Sequence, residues 1–315
     1  MSTTSVVPRW AGPKTPKKKA FKQVNGLPVS GWPMRIGKGI LLAICCFTIV
    51  APFVAVISTS FADNGQVNRA GGLVLWPTNP NLDAYRAILA GGVVSRALII
   101  SLGITVVGTF LSLICTALLA YSLSRPGSFA SKPLLLMVLF TLLFSPGMIP
   151  SYLMIKELHL LNSWWSLILP VLVTGFNVVV MRAFFMELPQ ELLDAARIDG
   201  AGELSTLLRI VLPLSKAVLA VIGLFYAVGY WNAFFNALLY INDNSKWPLQ
   251  LVLRTYVVNN ATLGVDQLAI DNTQPPPQQS LQMAILVISL VPIALVYPFI
   301  QRHFTKGVLI GAVKG

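Results

Sequence analysis

Long runs without a charged or histidine residue alternate along the chain with short stretches where charges collect. Six such runs stand out, at residues 39–62, 97–124, 133–155, 160–181, 217–242 and a last one whose apolar part is 281–300. Each is long enough to cross a hydrocarbon core of roughly 30 Å as a helix, which takes about 20 apolar residues. A transmembrane barrel would instead show strands of about ten residues alternating in polarity. The run at 97–123 does not alternate. The pattern predicts an all-α integral membrane protein with six transmembrane helices.

Composition agrees: 55% of the residues are hydrophobic and 11% charged, too little charge to coat a soluble globule. The formal net charge of +12 could suggest a nucleic-acid partner, but its placement points to the bilayer. The first 38 residues carry Arg9, Lys14, Lys17, Lys18, Lys19, Lys22, Arg35 and Lys38 and no acid. If that tail is cytoplasmic, the inner segments hold 17 of the 23 Lys and Arg residues and the outer loops hold 6, while the acids divide 5 to 6. This asymmetry, which counts basic residues only, predicts both termini in the cytoplasm and makes the basic excess a topology signal, with no nucleic-acid partner. The basic tail also suits an anionic lipid surface. Residues 1–35 read as a basic disordered tail and 36–315 as the six-helix transmembrane domain. The start lacks the pattern of a cleaved secretory signal, so the run at 39–62 reads as a retained first span. Cys45, Cys46 and Cys115 have no CxxC spacing and read as small buried apolar residues.

Two connections are short: Arg125, Pro126 and Gly127 suit a tight turn, and residues 151–159 read as a short outer loop. Two are longer. Residues 182–216 lie inside, and residues 243–280, with Pro275, Pro276 and Pro277, lie outside as either slack linker or a contact for a partner. Pro52, Pro146, Pro150, Pro170 and Pro292 fall within the apolar runs, where kinks are tolerated.

Several chemistries find no residues to carry them. No Asp, Glu, Lys or Arg stands mid-span, which weakens an ion-coupled carrier. The GxxxxGK[ST] phosphate loop is absent, so ATP, if used, is hydrolysed on another chain. His159 and His303 stand alone at membrane borders without metal-ligand spacing, and no nucleophile–base set is readable. The chain reads as a non-enzyme that binds no cofactor or metal itself.

One inner segment carries more information than the rest. From Leu188 it reads LPQELLDAARIDGAGE, and it continues to Leu212 and Pro213. Pro189 suits a first helical turn, Glu191 and Asp194 favour the helix dipole, and Ala195 and Ala196 keep one surface small. Gly200 then allows a turn into a second short helix over 203–211, stopping at Leu212 and Pro213. Taken alone, this pair is also what an amphipathic connector on the inner leaflet would look like.

The spacing of Asp194, Ala195, Ala196, Gly200, Ile210, Leu212 and Pro213 resembles the signature of bacterial ABC import permeases: an acid, Ala-Ala, a Gly four residues later, then I-x-L-P. Asp194 stands where Glu is commoner, a change that keeps the charge. The resemblance implies that a loop at about 186–213 is a coupling helix docking on an ATPase subunit, with those seven residues making or shaping the contact.

Tyr226, Tyr230, Trp231, Asn232, Phe234 and Phe235, with Trp247, Pro248 and Leu249, resemble carbohydrate-type permeases, and residues 301–315 resemble the subgroup for oligosaccharides and polysaccharide fragments. Sugar sites combine aromatic faces with amides, so Asn177, Tyr226, Tyr230, Trp231, Asn232 and Asn236 are candidates for a substrate path. The same residues also suit interfacial aromatics and helix-packing amides. The resemblance implies a type I ABC importer permease for a carbohydrate in a bacterial plasma membrane. Its implied partners are a second related permease in a heterodimer, two ATPase subunits holding ATP and magnesium, and an extracytoplasmic sugar-binding protein. The alternatives are an ABC permease for a peptide or amino acid, a membrane-embedded glycosyl-transfer enzyme and a self-sufficient carrier.

Overall fold

The computed structural model describes residues 23–24, 27–28, 32–259, 261–263 and 276–312. Its contacts divide the chain into two units, Met1–Phe53 and Val54–Gly315, with the boundary inside the first helix. In the first unit a two-residue antiparallel pair, β1 (Gln23–Val24) with β2 (Leu27–Pro28), precedes α1 (Trp32–Ser60). The expectation of a disordered tail falls mostly on residues outside those described. Cys45 and Cys46 are exposed rather than buried, and Cys115 is half-buried. A helix surface facing lipid is as apolar as a core, so composition alone does not separate the two.

In the second unit the described elements are helical. After α1 come α2 (Asn64–Ala70), α3 (Asp83–Leu89), α4 (Val93–Ser124), α5 (Ser131–Leu143), α6 (Met148–Glu157), α7 (Trp165–Ile168) with a 3-10 turn Leu169–Val171, and α8 (Gly175–Met186). The inner loop then forms α9 (Gln190–Ile198), α10 (Glu203–Thr206), a π-turn Leu207–Val211 and α11 (Leu212–Leu214). Last come α12 (Lys216–Trp231), α13 (Phe235–Tyr240), α14 (Leu249–Leu253) with a π-turn Arg254–Val258, and α15 (Gln278–Ala312).

Three described helices are long and apolar enough to cross a membrane on their own, and five candidates result if each sharply bent pair counts as one span. The runs at 133–155, 160–181 and 217–242 are therefore broken rather than continuous. Pro146 disfavours helix at Ser145, and Gly147 takes a φ of +81°, so α5 and α6 separate there. The expected short loop at 151–159 is largely the second half of α6. Pro170 sits in the 3-10 turn, and α7 meets α8 at a bend of 50°. Likewise, the second inner helix does not stop at Pro213 but runs on to Leu214. Pro213 has no N–H for the preceding turn, and the π-turn just before it widens the helix to accommodate the ring. The stretch 243–259, expected to lie outside, is largely helical, with α14 packed into a buried cluster, and so is no slack linker.

α4 is the central element. It packs against α12 and α8, and the main buried cluster draws Ile104 and Ala120 from α4, Met181 and Phe185 from α8, and Ile222 and Tyr226 from α12. A second cluster gathers α3, α14, α15 and the start of α4 around Ile88, Val94, Leu249 and Ile285. Gly108 sets the α4–α12 approach: a Cβ there would lie 2.8 Å from the Tyr230 ring. That ring cannot swing away freely, because its hydroxyl bonds Ser112 Oγ at 2.8 Å.

Replacing Gly108 with Ala should therefore destabilise the protein by about 1–3 kcal/mol despite alanine's better helix propensity, as overpacking does. Gly103→Ala on the same helix meets nothing within 4 Å and should be neutral or stabilising. Thermal melting of the two detergent-purified variants checks the contrast.

Candidate functional site

Two helix breaks wall one cavity of about 490 Å³. One break is the 3-10 turn and the extended residues before α8, which contribute Val171 and Thr174. The other lies between α12 and α13 and contributes Asn232, Ala233 and Phe234. Interrupted helices at membrane depth are tolerated where the freed backbone groups are held by protein or line a cavity, and transporter sites are often built this way.

Tyrosine hydroxyls hold the first of these breaks. Tyr226 Oη accepts the Thr174 N–H at 3.0 Å and shares a 2.7 Å bond with Thr116 Oγ1. Tyr230 Oη pairs with Ser112 Oγ and donates to Ile168 O at 3.3 Å. Both tyrosines are buried, with their rings 6.5 Å apart and near-parallel. Their hydroxyls are thus engaged by the protein, and what they present to the cavity is ring surface.

The amides behave differently. Asn177 is only 4% exposed, lines the cavity and has no hydrogen-bond partner among the described residues. Asn232 Nδ2 donates back to Val228 O at 3.0 Å, which helps end α12, and Asn236 completes the wall from α13. Five of the six residues proposed for a substrate path therefore line one cavity. The sixth, Trp231, turns the other way: it is buried in the second cluster and donates from Nε1 to Ser289 O at 3.1 Å. Sequence reading missed Thr174, Phe176 and Phe225 in the lining. The Gly175 that follows Thr174 marks a close contact with α5, where a Cβ would meet Val138 O at 3.0 Å.

At the other end of α4, the loop after α8 presents two unlike faces. Leu193, Ala196, Leu207 and Val211 are buried and, Ala196 apart, belong to the main cluster; Ile210 and Leu212 pack beside it. Leu192, Ala195, Ile198, Leu204 and Leu208 are exposed, Ile198 at 85%. α9 closes in a Schellman motif: Gly200 at φ +77° donates to Arg197 O at 3.0 Å, and Ala201 donates to Ala196 O at 2.9 Å. Asp194 and Pro213 are exposed.

The loop is tied to α4 by polar contacts that motif spacing could not reveal. Tyr121 Oη donates to Glu203 Oε2 at 2.6 Å. Arg197 reaches Glu203 at 3.3 Å and Asp194 at 3.7 Å. The Tyr121 hydrogen bond, followed by the Arg197 guanidinium, holds the Glu203 carboxyl below its ordinary range. Beside them Arg125 lies 4.4 Å from the Tyr121 ring centroid, and Arg182 Nε donates to Leu123 O at 2.9 Å.

Tyr121→Phe should raise hydrogen exchange in α9 by roughly two- to tenfold, the equivalent of one net hydrogen bond of about 1 kcal/mol. The same tie has a pH signature. Because the folded carboxyl titrates lower than an unfolded one, its contribution is complete above the ordinary glutamate range and is lost as pH falls through the depressed value. The protection factor in α9, the observed rate corrected for intrinsic exchange, should thus stay flat through neutral pH and fall only in acid, and Glu203→Gln should remove that acid step.

Residues 108–310 match the family described as binding-protein-dependent transport system inner membrane component. The chain is 44% identical over 276 residues to the polygalacturonan/rhamnogalacturonan transport system permease protein YtcP of Bacillus subtilis, covering 88% of this chain and 95% of that one. It is 30% identical to the arabinooligosaccharides transport system permease protein AraQ of Halalkalibacterium halodurans, over 91% of this chain and 98% of the relative. A solved crystal structure of a bacterial ABC transporter involved in the import of the acidic polysaccharide alginate superposes with a TM-score of 0.80. That match is at 29% identity and covers 88% of this chain and all of the other.

Proposed function

The chain belongs to the family of binding-protein-dependent transport inner-membrane components, and from that premise we propose that it is the permease subunit of an ATP-driven importer for an oligosaccharide. The observation that carries this reading is the cavity between the two helix breaks. Its lining holds asparagines and aromatic rings and no charged residue, the chemistry that suits a hydroxyl-rich cargo. Relatives whose names specify saccharide cargoes support the same class.

In the bacterial plasma membrane the domain at 36–315 crosses six times, through α1, α4, α5 with α6, α7 with α8, α12 with α13, and α15. Both termini are cytoplasmic, in keeping with the 17-to-6 split of basic residues. The partners are a second, related permease, two ATPase subunits that carry ATP and magnesium, and an extracytoplasmic binding protein received on the outer side near 243–280. α9 is the part that meets an ATPase subunit. Its exposed Ala195 and Ile198 allow close approach, while Leu193 and Ala196 anchor it to the core that surrounds α4 and α12. Closure of the nucleotide subunits then moves the loop as a body and reorients the broken spans around the cavity.

The test is uptake of labelled oligosaccharides into proteoliposomes containing the whole complex. Uptake should require ATP. Ala195→Glu, at an exposed helical position, should leave the permease folded in the membrane. It should lower uptake and stimulated ATP hydrolysis at least about tenfold, as expected when an unpartnered charge is forced into an interface. Uptake without any ATPase chain, or full coupling in Ala195→Glu, would sink the proposal.

A further inference from the structure

Of the six described cations near the outer ends of the helices, three have a hydrogen-bond or ion-pair partner among the described residues. Arg86 faces Asp83 at 3.8 Å, Arg69 donates to Gly65 O at 3.0 Å, and Lys246 donates to Asn162 O at 3.0 Å beside Asp243. Arg254 differs. It opens the π-turn after α14 and is half-buried, where Arg96 and Lys156 are exposed, and its side chain has neither an ion pair nor a hydrogen bond among the described residues. Its guanidinium carbon lies 5.0 Å from the centroid of the Phe234 ring. Phe234 belongs to the α12–α13 break and lines the cavity.

We propose that Arg254 is a specificity-determining residue that receives a carboxylate of the cargo, so that the saccharide moved through this cavity is anionic, of the uronate type. The inference rests on the saccharide-permease reading above and deepens it.

A half-buried guanidinium without an anion gives up part of its hydration for little return, and a ring face compensates only in part. A ring face accepts no conventional hydrogen bond, so the guanidinium N–H donors are left without an acceptor among the described residues. Those donors form the fork that matches a carboxylate with two parallel hydrogen bonds. The π-turn strengthens the case: single π-turns recur at functional sites, where they shift the register of the residues that follow. Beyond Phe234 the cavity wall is uncharged, with the unpartnered amide of Asn177 and the side chain of Asn236 available to sugar hydroxyls. Arg254 is not itself part of the lining but lies against Phe234, which is; a cation so close to an amide- and ring-lined cavity fits a chain of sugars whose carboxylate is held at one end while its hydroxyls and ring faces meet the rest. A single charge also leaves the cargo able to depart, since a site for transport must bind weakly enough to release.

The experiment uses the complete reconstituted complex and two labelled probes, tetragalacturonate and its fully methyl-esterified counterpart, in which the carboxylate charges are masked. In Arg254→Gln the concentration giving half-maximal uptake of tetragalacturonate should rise about tenfold or more, the loss of one charge-assisted pair. Uptake of the ester and ATP hydrolysis without cargo should be unchanged. Arg254→Lys should fall between the two, since lysine keeps the charge and loses the fork. If wild type imports the acid alone, loss in Arg254→Gln with retention in Arg254→Lys supports the assignment equally. An equal effect of Arg254→Gln on both probes, no effect on the acid, or import of the ester alone by wild type overturns the role of Arg254 and leaves the permease reading standing. Failure of the wild-type complex to import either probe with ATP would count against the permease reading itself.

Discussion

Every interrupted helix in a membrane must find partners for the backbone groups that the interruption frees, and in this protein two tyrosines on α12 provide them. Tyr226 takes the amide of Thr174 and Tyr230 gives its proton to the carbonyl of Ile168, so both ends of the α7–α8 break are bound by one neighbouring helix. The same hydroxyls reach Thr116 and Ser112 on α4. Three elements are therefore locked by two side chains one helical turn apart, and the close approach at Gly108 brings α4 within reach. An unheld amide or carbonyl in this setting would cost several kcal/mol, more than the ring packing could offset.

That arrangement decides what the cavity can offer. Because the tyrosines take up the backbone polarity at the break, the remaining polar side chains on the wall are left for something else. Asn177 is the clearest case: its residue is largely buried, its amide has no partner among the described residues, and it lines the cavity, where a ligand or water can reach it. Asn232 is intermediate, since its amide ends α12 by turning back to Val228 O and still borders the cavity. The division of labour follows from reach: a tyrosine hydroxyl extends far enough to cross to a neighbouring helix, whereas an asparagine on the same wall does not.

The apolar runs made the helical, membrane-spanning class legible, because a stretch of about 20 residues without charge matches the length of a helix across the hydrocarbon core and is poorly suited to a water-facing surface. They did not make helix continuity legible. Pro146 with Gly147 and Pro170 at least marked two of the breaks, yet proline within a span is so often a mere kink that neither could be read as an interruption. The third break, at Asn232, carries neither proline nor glycine and is made by a side chain competing for its own helix's carbonyl. Motif spacing located the inner loop and the turn at Gly200, since a positive φ leaves a compositional mark. Glu203 left no such mark, because its partner Tyr121 is far away in sequence and only the fold brings them together. Helical spacing likewise grouped Tyr226 with Tyr230, but Trp231, next in sequence, had to point to the opposite side and into the other cluster.

The two ends of the molecule are joined by more than proximity. α12 carries the tyrosines at one end, and at the other it meets the inner loop through α11, across a bend of 86° at Ser215. α4 carries Ser112 and Thr116 beside the cavity and, further along the helix, Tyr121, which holds Glu203 of the same loop. A displacement of α9 is thus delivered to two helices that are themselves pinned together at the cavity. They can move relative to each other only by breaking the Ser112–Tyr230 and Thr116–Tyr226 bonds. With those bonds intact, α4 and α12 shift as one body, and the strain of the motion falls on the breaks, where the backbone has no continuous hydrogen-bond ladder to resist it. In this geometry the interruptions that shape the cavity are also the places where it can change shape.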